Sequence, residues 1–317
     1  MKRIKIAILS ILLFAFSTFA QDKFIAITQI VEHPALDATK NGVIDYLKEV
    51  GFVAGKNLKV EFESAQGNIP NTISIAKKFV GKKPDAIISI ATPSAQAISA
   101  QTKSIPHVFS AVTDPVAAKI VPSLKKPGGN TTGVSDLTPI DKHLDLIKAI
   151  MPNIKSLGVL YNAGETNSVS IIKLVDKFAE QYDLKIIKSV AVKTADVLTA
   201  AKSLVGKVEA IYVPTDNTIV SAFESVVKVG IDSNIPVFAG DTSSVERGAV
   251  AALGFNYYDV GIQTGKIVAA ILNGKNPGSI DVQGVNKSEL FVNLNSAKKM
   301  GIEIPKILQT LSKKVIE

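Results

Sequence analysis

Short apolar runs alternate with amphipathic stretches along most of this 317-residue chain. In the first half, the apolar runs predict strands at 24–31, 58–64, 85–91 and 107–112, and the stretches between them predict helices near 35–50, 70–81, 94–103 and 115–124. In the second half, the same alternation predicts strands at 156–162, 184–192, 209–214 and 236–240, and helices near 166–181, 195–206 and 218–230. Strands that alternate with helices are typical of parallel sheets flanked by helices, so we predict an α/β fold.

The two halves of the chain also resemble each other. Several features recur in the same order, among them a glycine that ends a helix just before an apolar strand, Gly81 in one half and Gly206 in the other. Recurrence in the same order indicates two copies of one β-α unit, at roughly 23–116 and 155–245. Each copy is long enough to form its own lobe.

The remaining segments predict how the chain connects the two lobes. A Pro/Gly-rich linker at 126–133 separates the copies, and a strand at 249–255 and a helix at 258–273 follow the second copy. These later segments have no partner copy, which indicates that the chain crosses between the lobes more than once. We predict a hinged clamshell. The expected division is a signal peptide at 1–20, an N-terminal lobe of 21–133 plus about 254–276, and a C-terminal lobe of about 134–253 plus 277–317.

The first twenty residues have the pattern of a secretory signal. Residues 1–5 are basic, 6–16 are apolar apart from one serine, and the small residue Ala20 is suited to cleavage. The apolar run is too short for a membrane-spanning helix. We therefore expect an exported protein. Its formal charge of +8 comes from an excess of Lys and Arg over Asp and Glu, and the lysines are spread in surface doublets without the aromatic residues typical of nucleic-acid binding.

Composition excludes several kinds of site. The chain has no cysteine, so disulfides, zinc–thiolate sites, thiol nucleophiles and a lipid-modified N-terminal cysteine are excluded. Its three histidines are scattered, and no phosphate-binding loop, nucleophile elbow or zinc-protease motif is present. We expect no cofactor, no metal site and no catalytic residues.

The candidate binding residues follow the predicted strands. Ligands of open α/β sheets bind beyond the carboxyl ends of the strands, and the stretches there are rich in hydroxyl, amide and carboxyl groups. From these stretches we select the predicted ligand-binding residues Glu32, Thr92, Ser94, Thr113, Asp114, Asn162, Glu165, Asn167, Asp216, Asn217 and Asp241. His33 is interpreted as a loop or cleft-wall residue.

The two copies differ at these strand ends in a way that indicates a zwitterionic ligand. The first copy has hydroxyls beside helix N-termini, at Thr92, Ser94 and Thr113, which favour a carboxylate. The second copy adds Asp216 and Asp241, either of which could hold an ammonium group. Each of these residues could instead cap a helix, and capping is the stronger alternative for Asp114.

Several stretches together resemble one protein family. They include the loops 29–37, 65–68 and 91–96, the segments 112–115 and 127–136, and 161–168, 214–217 and 247–249. In sequence and order they look like the tryptophan/tyrosine-type ABC-transporter substrate-binding proteins, over about 24–304. The resemblance implies a type I periplasmic-binding-protein fold with two Rossmann-like lobes. It also implies a ligand delivered to a membrane permease that is driven by a cytoplasmic ATPase.

We therefore expect a periplasmic, monomeric and non-catalytic binding protein that captures an amino acid, aromatic or apolar, between two lobes. Many relatives carry a lipidated cysteine after the signal, whereas this chain has Gln21 there, so it is expected to be free of a lipid anchor. Two alternatives stay open at this point. One is a ligand-sensing domain of a membrane receptor, and the other is a periplasmic hydrolase that uses paired carboxylates.

Overall fold

The strands form two separate sheets within residues 22–285 and 288–317, the part of the chain that the computed structural model describes. The first sheet has the order β2-β1-β3-β4-β5, and all of its strands are parallel. Its strands are β1 (Lys23–Gln29), β2 (Leu58–Ser64), β3 (Ala86–Ile90), β4 (His107–Ser110) and β5 (Thr131–Gly133). The predicted signal peptide lies outside the described residues.

The second sheet is larger and has one antiparallel pair. Its order is β12-β11-β10-β9-β8-β6-β7, and β10 and β11 run in opposite directions. Its strands are β6 (Ser156–Tyr161), β7 (Lys185–Val190), β8 (Ala210–Val213), β9 (Val237–Ala239), β10 (Ala251–Gly254), β11 (Glu289–Asn293) and β12 (Lys314–Ile316). Each sheet has its own large cluster of buried apolar side chains, so the molecule has two lobes.

Helices cover both sheets. They are α1 (Pro34–Glu49), α2 (Ile69–Lys82), α3 (Thr92–Gln101), α4 (Ile140–Ile150), α5 (Thr166–Ala179), α6 (Val197–Lys202), α7 (Asn217–Ser221), α8 (Phe223–Ser233), α9 (Ser243–Glu246), α10 (Tyr257–Leu272), α11 (Leu294–Lys299) and α12 (Lys306–Leu311). None of the helices in the described part of the chain is long and apolar enough to cross a membrane. The predicted α/β class with helix-flanked parallel sheets is confirmed.

Equivalent contacts in the two lobes agree with the predicted repeat. The Asp85 carboxylate, just before β3, accepts a hydrogen bond from the Phe24 N–H in β1 (2.8 Å). The Glu209 carboxylate, just before β8, accepts one from the Ser156 N–H in β6 (2.8 Å). Each acid thus joins the amino ends of two neighbouring strands, at the edge of its sheet opposite to the predicted binding loops.

Within the described residues, the chain passes between the sheets at 134–139 and at 255–256, and from Glu289 it is again part of the second sheet. After α10, the stretch 277–283 still contacts the first sheet, since the Gln283 N–H donates to the Gly133 carbonyl (2.9 Å). This stretch therefore stays with the first lobe for several residues beyond the expected division at 276. The lobe boundaries themselves remain a prediction.

Three predicted elements differ in the structure. The helix expected at 115–124 is a series of turns, because the chain adopts a left-handed conformation at Lys119 (φ 58°). The helix expected at 218–230 is interrupted at Ala222 (ψ 30°), which separates α7 from α8. The linker at 126–133 ends in a strand, β5, that pairs with β4.

Helix α10 returns to the first lobe and packs closely against α1. The two helices approach at Gly42 and Gly261, where a Cβ atom on Gly261 would lie 2.1 Å from the Thr39 carbonyl oxygen. The Thr39 hydroxyl lies 3.2 Å from the Tyr257 carbonyl oxygen and donates a hydrogen bond to it. This packing fixes the start of α1 beside the start of α10, where both helices border the cleft between the lobes.

Candidate ligand-binding site

The carboxyl ends of the strands of both sheets surround one narrow cavity of about 20 Å³. Its walls come from the first lobe, from the second lobe and from the first crossing between them. They are formed by His33, Ala35, Leu36, Ala111, Thr113, Asp136, Asn167, Thr215, Asp216, Asn217, Val220, Asp241 and Tyr257. Five of these residues were predicted from the sequence as ligand-binding: Thr113, Asn167, Asp216, Asn217 and Asp241.

The other predicted residues lie around this cavity or away from it. Asn162 and Glu165 line an adjoining groove between the lobes, and Thr92 and Ser94 are buried at the start of α3. The Asp114 carboxylate accepts hydrogen bonds from the N–H groups of two residues in the following turns, so its contacts are those of a cap. Glu32 precedes the cavity residue His33, and its own side chain is exposed.

Two carboxylates of the second lobe are held by donors of that same lobe. Glu165 accepts hydrogen bonds from the side chains of Asn217, Asn167 and Thr218. Asp216 accepts from the Asn162 N–H (2.5 Å), the Ser168 hydroxyl (2.6 Å) and the Ile219 N–H (2.9 Å). Burial and the nearby Glu165 charge raise the pKa of Asp216. These bonds fix the second-lobe wall of the cavity and occupy most of the acceptor capacity of both acids.

Asp241 has more acceptor capacity left. It follows β9, is 3% exposed, and accepts hydrogen bonds from the Ser244 N–H (2.9 Å) and hydroxyl (2.6 Å). A carboxylate has about four acceptor positions, so further donors can bind. Burial raises the pKa of Asp241, whereas the Ser244 bonds and the Arg247 charge lower it. Bringing a cation close to this buried carboxylate would favour its charged form.

A third acid of the cavity wall, Asp136, lies in the first crossing between the lobes and was missed from the sequence. Its carboxylate accepts hydrogen bonds from the Thr113 hydroxyl (3.1 Å) and the Tyr257 hydroxyl (2.8 Å). Burial raises the pKa of Asp136. Asp136 does not follow a predicted strand, so the rule that selected the other residues did not reach it. Tyr257 was missed because the candidates were taken from the strand ends of the two copies, and Tyr257 follows a strand that lies outside both.

The cavity is acidic, and the backbone supplies positive potential at one of its walls. None of its lining residues is a lysine or an arginine. The first N–H groups of a helix have no partner within the helix. In α1 the first hydrogen bond of the helical type is donated by the Asp37 N–H to the His33 carbonyl (3.0 Å). The earlier N–H groups, of the cavity residues Ala35 and Leu36, therefore lie at the positive end of the helix dipole.

Several buried polar atoms around the cleft have no hydrogen-bond partner among the described residues. Within the cavity they belong to three side chains, His33 (Nδ1), Asn167 (Oδ1) and Thr215 (Oγ1). At the start of α3 they are the hydroxyls of Thr92 and Ser94. An unpaired buried polar atom costs about 1–3 kcal/mol. A cluster of such atoms at the strand ends indicates a polar ligand that would pair with them.

The two lobes touch each other across the cleft. The Gln96 side-chain amide of α3 donates to the Thr166 hydroxyl at the start of α5 (3.2 Å). The His33 ring of the first lobe and the Asn217 side chain of the second line the same cavity. Among the described residues there is no group of three or more acidic or histidine side chains placed to hold a metal ion. The cavity is therefore enclosed between two lobes in contact and offers carboxylates, hydroxyls and helix N-termini.

Comparisons with known proteins agree with this arrangement. The chain is 41% identical over 283 residues to the Tyrosine-binding protein of Clostridioides difficile, covering 89% of this chain and 82% of the relative. A domain from Streptococcus pneumoniae in complex with L-Trp is 34% identical with a TM-score of 0.90, covering 93% of this chain and all of that domain. A ligand-free, open substrate-binding protein from Clostridium difficile is 40% identical with a TM-score of 0.69, covering 93% and 99%.

These similarities confirm both the resemblance seen in the sequence and the two-lobed α/β fold. The sequence model of the family described as ABC transporter substrate binding protein matches residues 24–316, nearly all of the described chain. The chain belongs to the ABC transporter substrate-binding protein family.

Proposed function

We propose that this protein is the extracytoplasmic binding component of an ABC importer and that it captures an amino acid with an aromatic side chain. The observation that carries the proposal is the cavity between the two lobes, with buried carboxylates and unpartnered polar atoms facing it from both sides. The ligand would then pass to a membrane permease driven by a cytoplasmic ATPase.

The chemistry of the cavity supports a zwitterionic ligand. Asp241 has free acceptor positions for an ammonium group, and Asp136 adds negative charge on another wall. The carboxylate of the ligand would lie at the start of α3, where the Thr92 and Ser94 hydroxyls have no partner and the helix dipole favours an anion. The apolar wall residue Leu36 would contact the ligand side chain.

Two relatives with known ligands support an aromatic side chain. One is named for tyrosine binding, and the other was crystallised with L-Trp. Both cover nearly the whole described chain, and their identities of 41% and 34% support a common ligand class. Val220 and Tyr257 border the same cavity as Leu36, so the walls supply apolar surface for an aromatic ring.

Capture by closure of the two lobes is supported by the same comparisons. This chain superimposes better on the L-Trp complex than on the ligand-free, open relative, although the open relative is more similar in sequence. The hydrogen bond between Gln96 and Thr166 crosses the cleft, as a closed arrangement requires. A ligand that contacts both lobes binds the closed form more tightly and shifts the population towards it.

Binding without catalysis, and a location outside the cytoplasm, complete the proposal. Glu165 and Asp216 are occupied by donors of their own lobe, and Glu32 is exposed, which supports binding rather than hydrolysis by paired carboxylates. The signal-like segment 1–20 supports export, and Gln21, at the position where many relatives have a lipidated cysteine, supports a periplasmic protein without a lipid anchor.

Calorimetry on ligand-stripped protein tests the proposed function. The protein is unfolded, freed of small molecules, refolded and titrated with each of the twenty amino acids. We expect saturable binding of tyrosine, tryptophan or both, with negative heat-capacity change from burial of the aromatic ring. If no amino acid binds to refolded protein whose melting curve matches that of the untreated protein, the proposed function is wrong.

A further inference from the structure

His33 is the one histidine of the cavity wall, and its position differs from that of an ordinary capping residue. It immediately precedes α1 in an extended conformation, and its side chain makes no capping hydrogen bond to that helix. The residue is 8% exposed, and its ring lines the cavity. Its Nδ1 atom is buried without a partner among the described residues. The ring nitrogen is therefore available to a ligand and to nothing else nearby.

Asn217, on the second-lobe wall of the cavity, favours one tautomer of the neutral His33 ring. The Asn217 amide nitrogen donates to the Glu165 carboxylate, so its carbonyl oxygen is the part left for other donors. His33 lines the same cavity, and its Nδ1 has no partner, so Nε2 is the ring nitrogen left for this oxygen. A carbonyl oxygen only accepts, which favours the tautomer in which Nε2 carries the hydrogen and Nδ1 is a lone-pair acceptor.

The His33 ring stays neutral over the physiological range. Burial, followed by the Arg247 charge, lowers the pKa of His33 to about 3, whereas the Asn217 side chain raises it by less. Arg247 is held in place by two hydrogen bonds to Glu224 (2.7 Å each) and one to the Val220 carbonyl (2.7 Å). The acceptor at Nδ1 is thus present whenever the ligand could bind.

We propose that His33 Nδ1 accepts a hydrogen bond from the polar tip of the ligand side chain, the phenol O–H of tyrosine or the indole N–H of tryptophan. This inference rests on the proposed function and names the ligand class within it. Both groups donate, whereas phenylalanine has no donor to offer. The neighbouring wall residues Ala35, Leu36 and Val220 are apolar and provide the surface for the ring that carries the donor. His33 is then the residue that selects tyrosine and tryptophan over phenylalanine.

The expected selectivity follows from the cost of an unpaired buried acceptor. When phenylalanine fills the cavity, Nδ1 is covered by an apolar ring and remains without a partner. Leaving this buried nitrogen without a hydrogen-bond partner corresponds to roughly a five- to hundredfold lower affinity for phenylalanine than for tyrosine. Sites built to hydrogen-bond a substrate hydroxyl reject the analogue that lacks it for this reason.

The test compares tyrosine and phenylalanine on wild-type protein and on variants at position 33. We expect wild type to bind tyrosine at least fivefold more tightly than phenylalanine. His33→Leu should bring the ratio close to one, mainly by weakening tyrosine binding, and His33→Gln, which keeps an acceptor, should restore part of it. Val220→Ala is the matched control, because it enlarges the same cavity and should weaken both ligands while leaving their ratio unchanged.

The outcomes separate this inference from the proposed function. Equal binding of tyrosine and phenylalanine to wild type overturns the role of His33 and leaves the proposed function standing. An unchanged ratio in His33→Leu also overturns it and assigns the selectivity to another wall residue, such as Thr215. If wild type binds none of tyrosine, tryptophan and phenylalanine, both proposals are wrong.

Discussion

Replacing glycine by alanine should lower stability at Gly261, where α1 and α10 cross closely, and should not lower it at Gly81, which lies in open space. In Gly261→Ala, the added Cβ would lie 2.1 Å from the Thr39 carbonyl oxygen and 2.9 Å from the Gly42 Cα. Acceptable contacts need at least about 3 Å, so the helices must separate locally by about 1 Å. Overpacking of this kind costs about 1–3 kcal/mol, and the better helix propensity of alanine returns about 0.5–1 kcal/mol.

We therefore expect Gly261→Ala to lower the free energy of unfolding by about 1–2 kcal/mol, which corresponds to a fall in Tm of about 2–8 °C. The start of α1 carries the cavity residues His33, Ala35 and Leu36, so amino-acid binding should weaken as well. Gly81→Ala is the control, because Gly81 lies in α2 with open space where the Cβ would be. That variant should be as stable as wild type or more so, with unchanged binding.

Differential scanning calorimetry of the three proteins, without ligand and at one protein concentration, measures both effects. The reasoning is refuted if Gly261→Ala melts at or above the temperature of wild type. It is also refuted if Gly81→Ala is destabilised as much as Gly261→Ala, because the close approach of the two helices would then not be the cause.

Three further predictions follow from the site and the lobes. Asp241→Asn should weaken amino-acid binding at least thirtyfold in calorimetry, since losing one partner of a buried charge pair costs about 2–5 kcal/mol. The control Asp232→Asn changes an exposed residue and should bind normally. Equal affinities of the two variants would assign the ammonium to another acid. The radius of gyration from small-angle scattering should fall on adding tyrosine or tryptophan, and an unchanged radius at saturation would contradict closure. The intact mass of the secreted protein should correspond to a chain that begins at Gln21, and a membrane-bound product that retains Met1 would contradict export.

The fold was largely predictable because it depends on local patterns that repeat. The apolar runs at 24–31 and 156–162 predicted β1 and β6, since buried parallel strands need continuous apolar sequence. The strand-end rule then found Asp216 and Asp241, because parallel strands place their carboxyl ends on one edge of the sheet. Both kinds of inference use neighbouring residues and need no knowledge of distant contacts.

The parts that were not predicted depend on contacts distant in sequence. Asp136 reaches the cavity because the first crossing brings it against Tyr257, which lies 121 residues later in the chain. No local sequence pattern indicates that contact. The proposed role of His33 depends on its position opposite Asn217, which lies in the other lobe and lines the same cavity. The chain near 115–124 has apolar residues at helical spacing, but the left-handed Lys119 ends the first turn before a helix can extend.

A crystal structure of the protein grown with L-tyrosine would test the central claim most directly. The proposals predict one tyrosine in the cavity between the lobes, with its ammonium within hydrogen-bonding distance of Asp241. Its carboxylate should lie at the start of α3 and its phenol oxygen within about 3 Å of His33 Nδ1. Tyrosine bound outside this cavity, or a cavity without tyrosine at saturating concentration, would contradict the account.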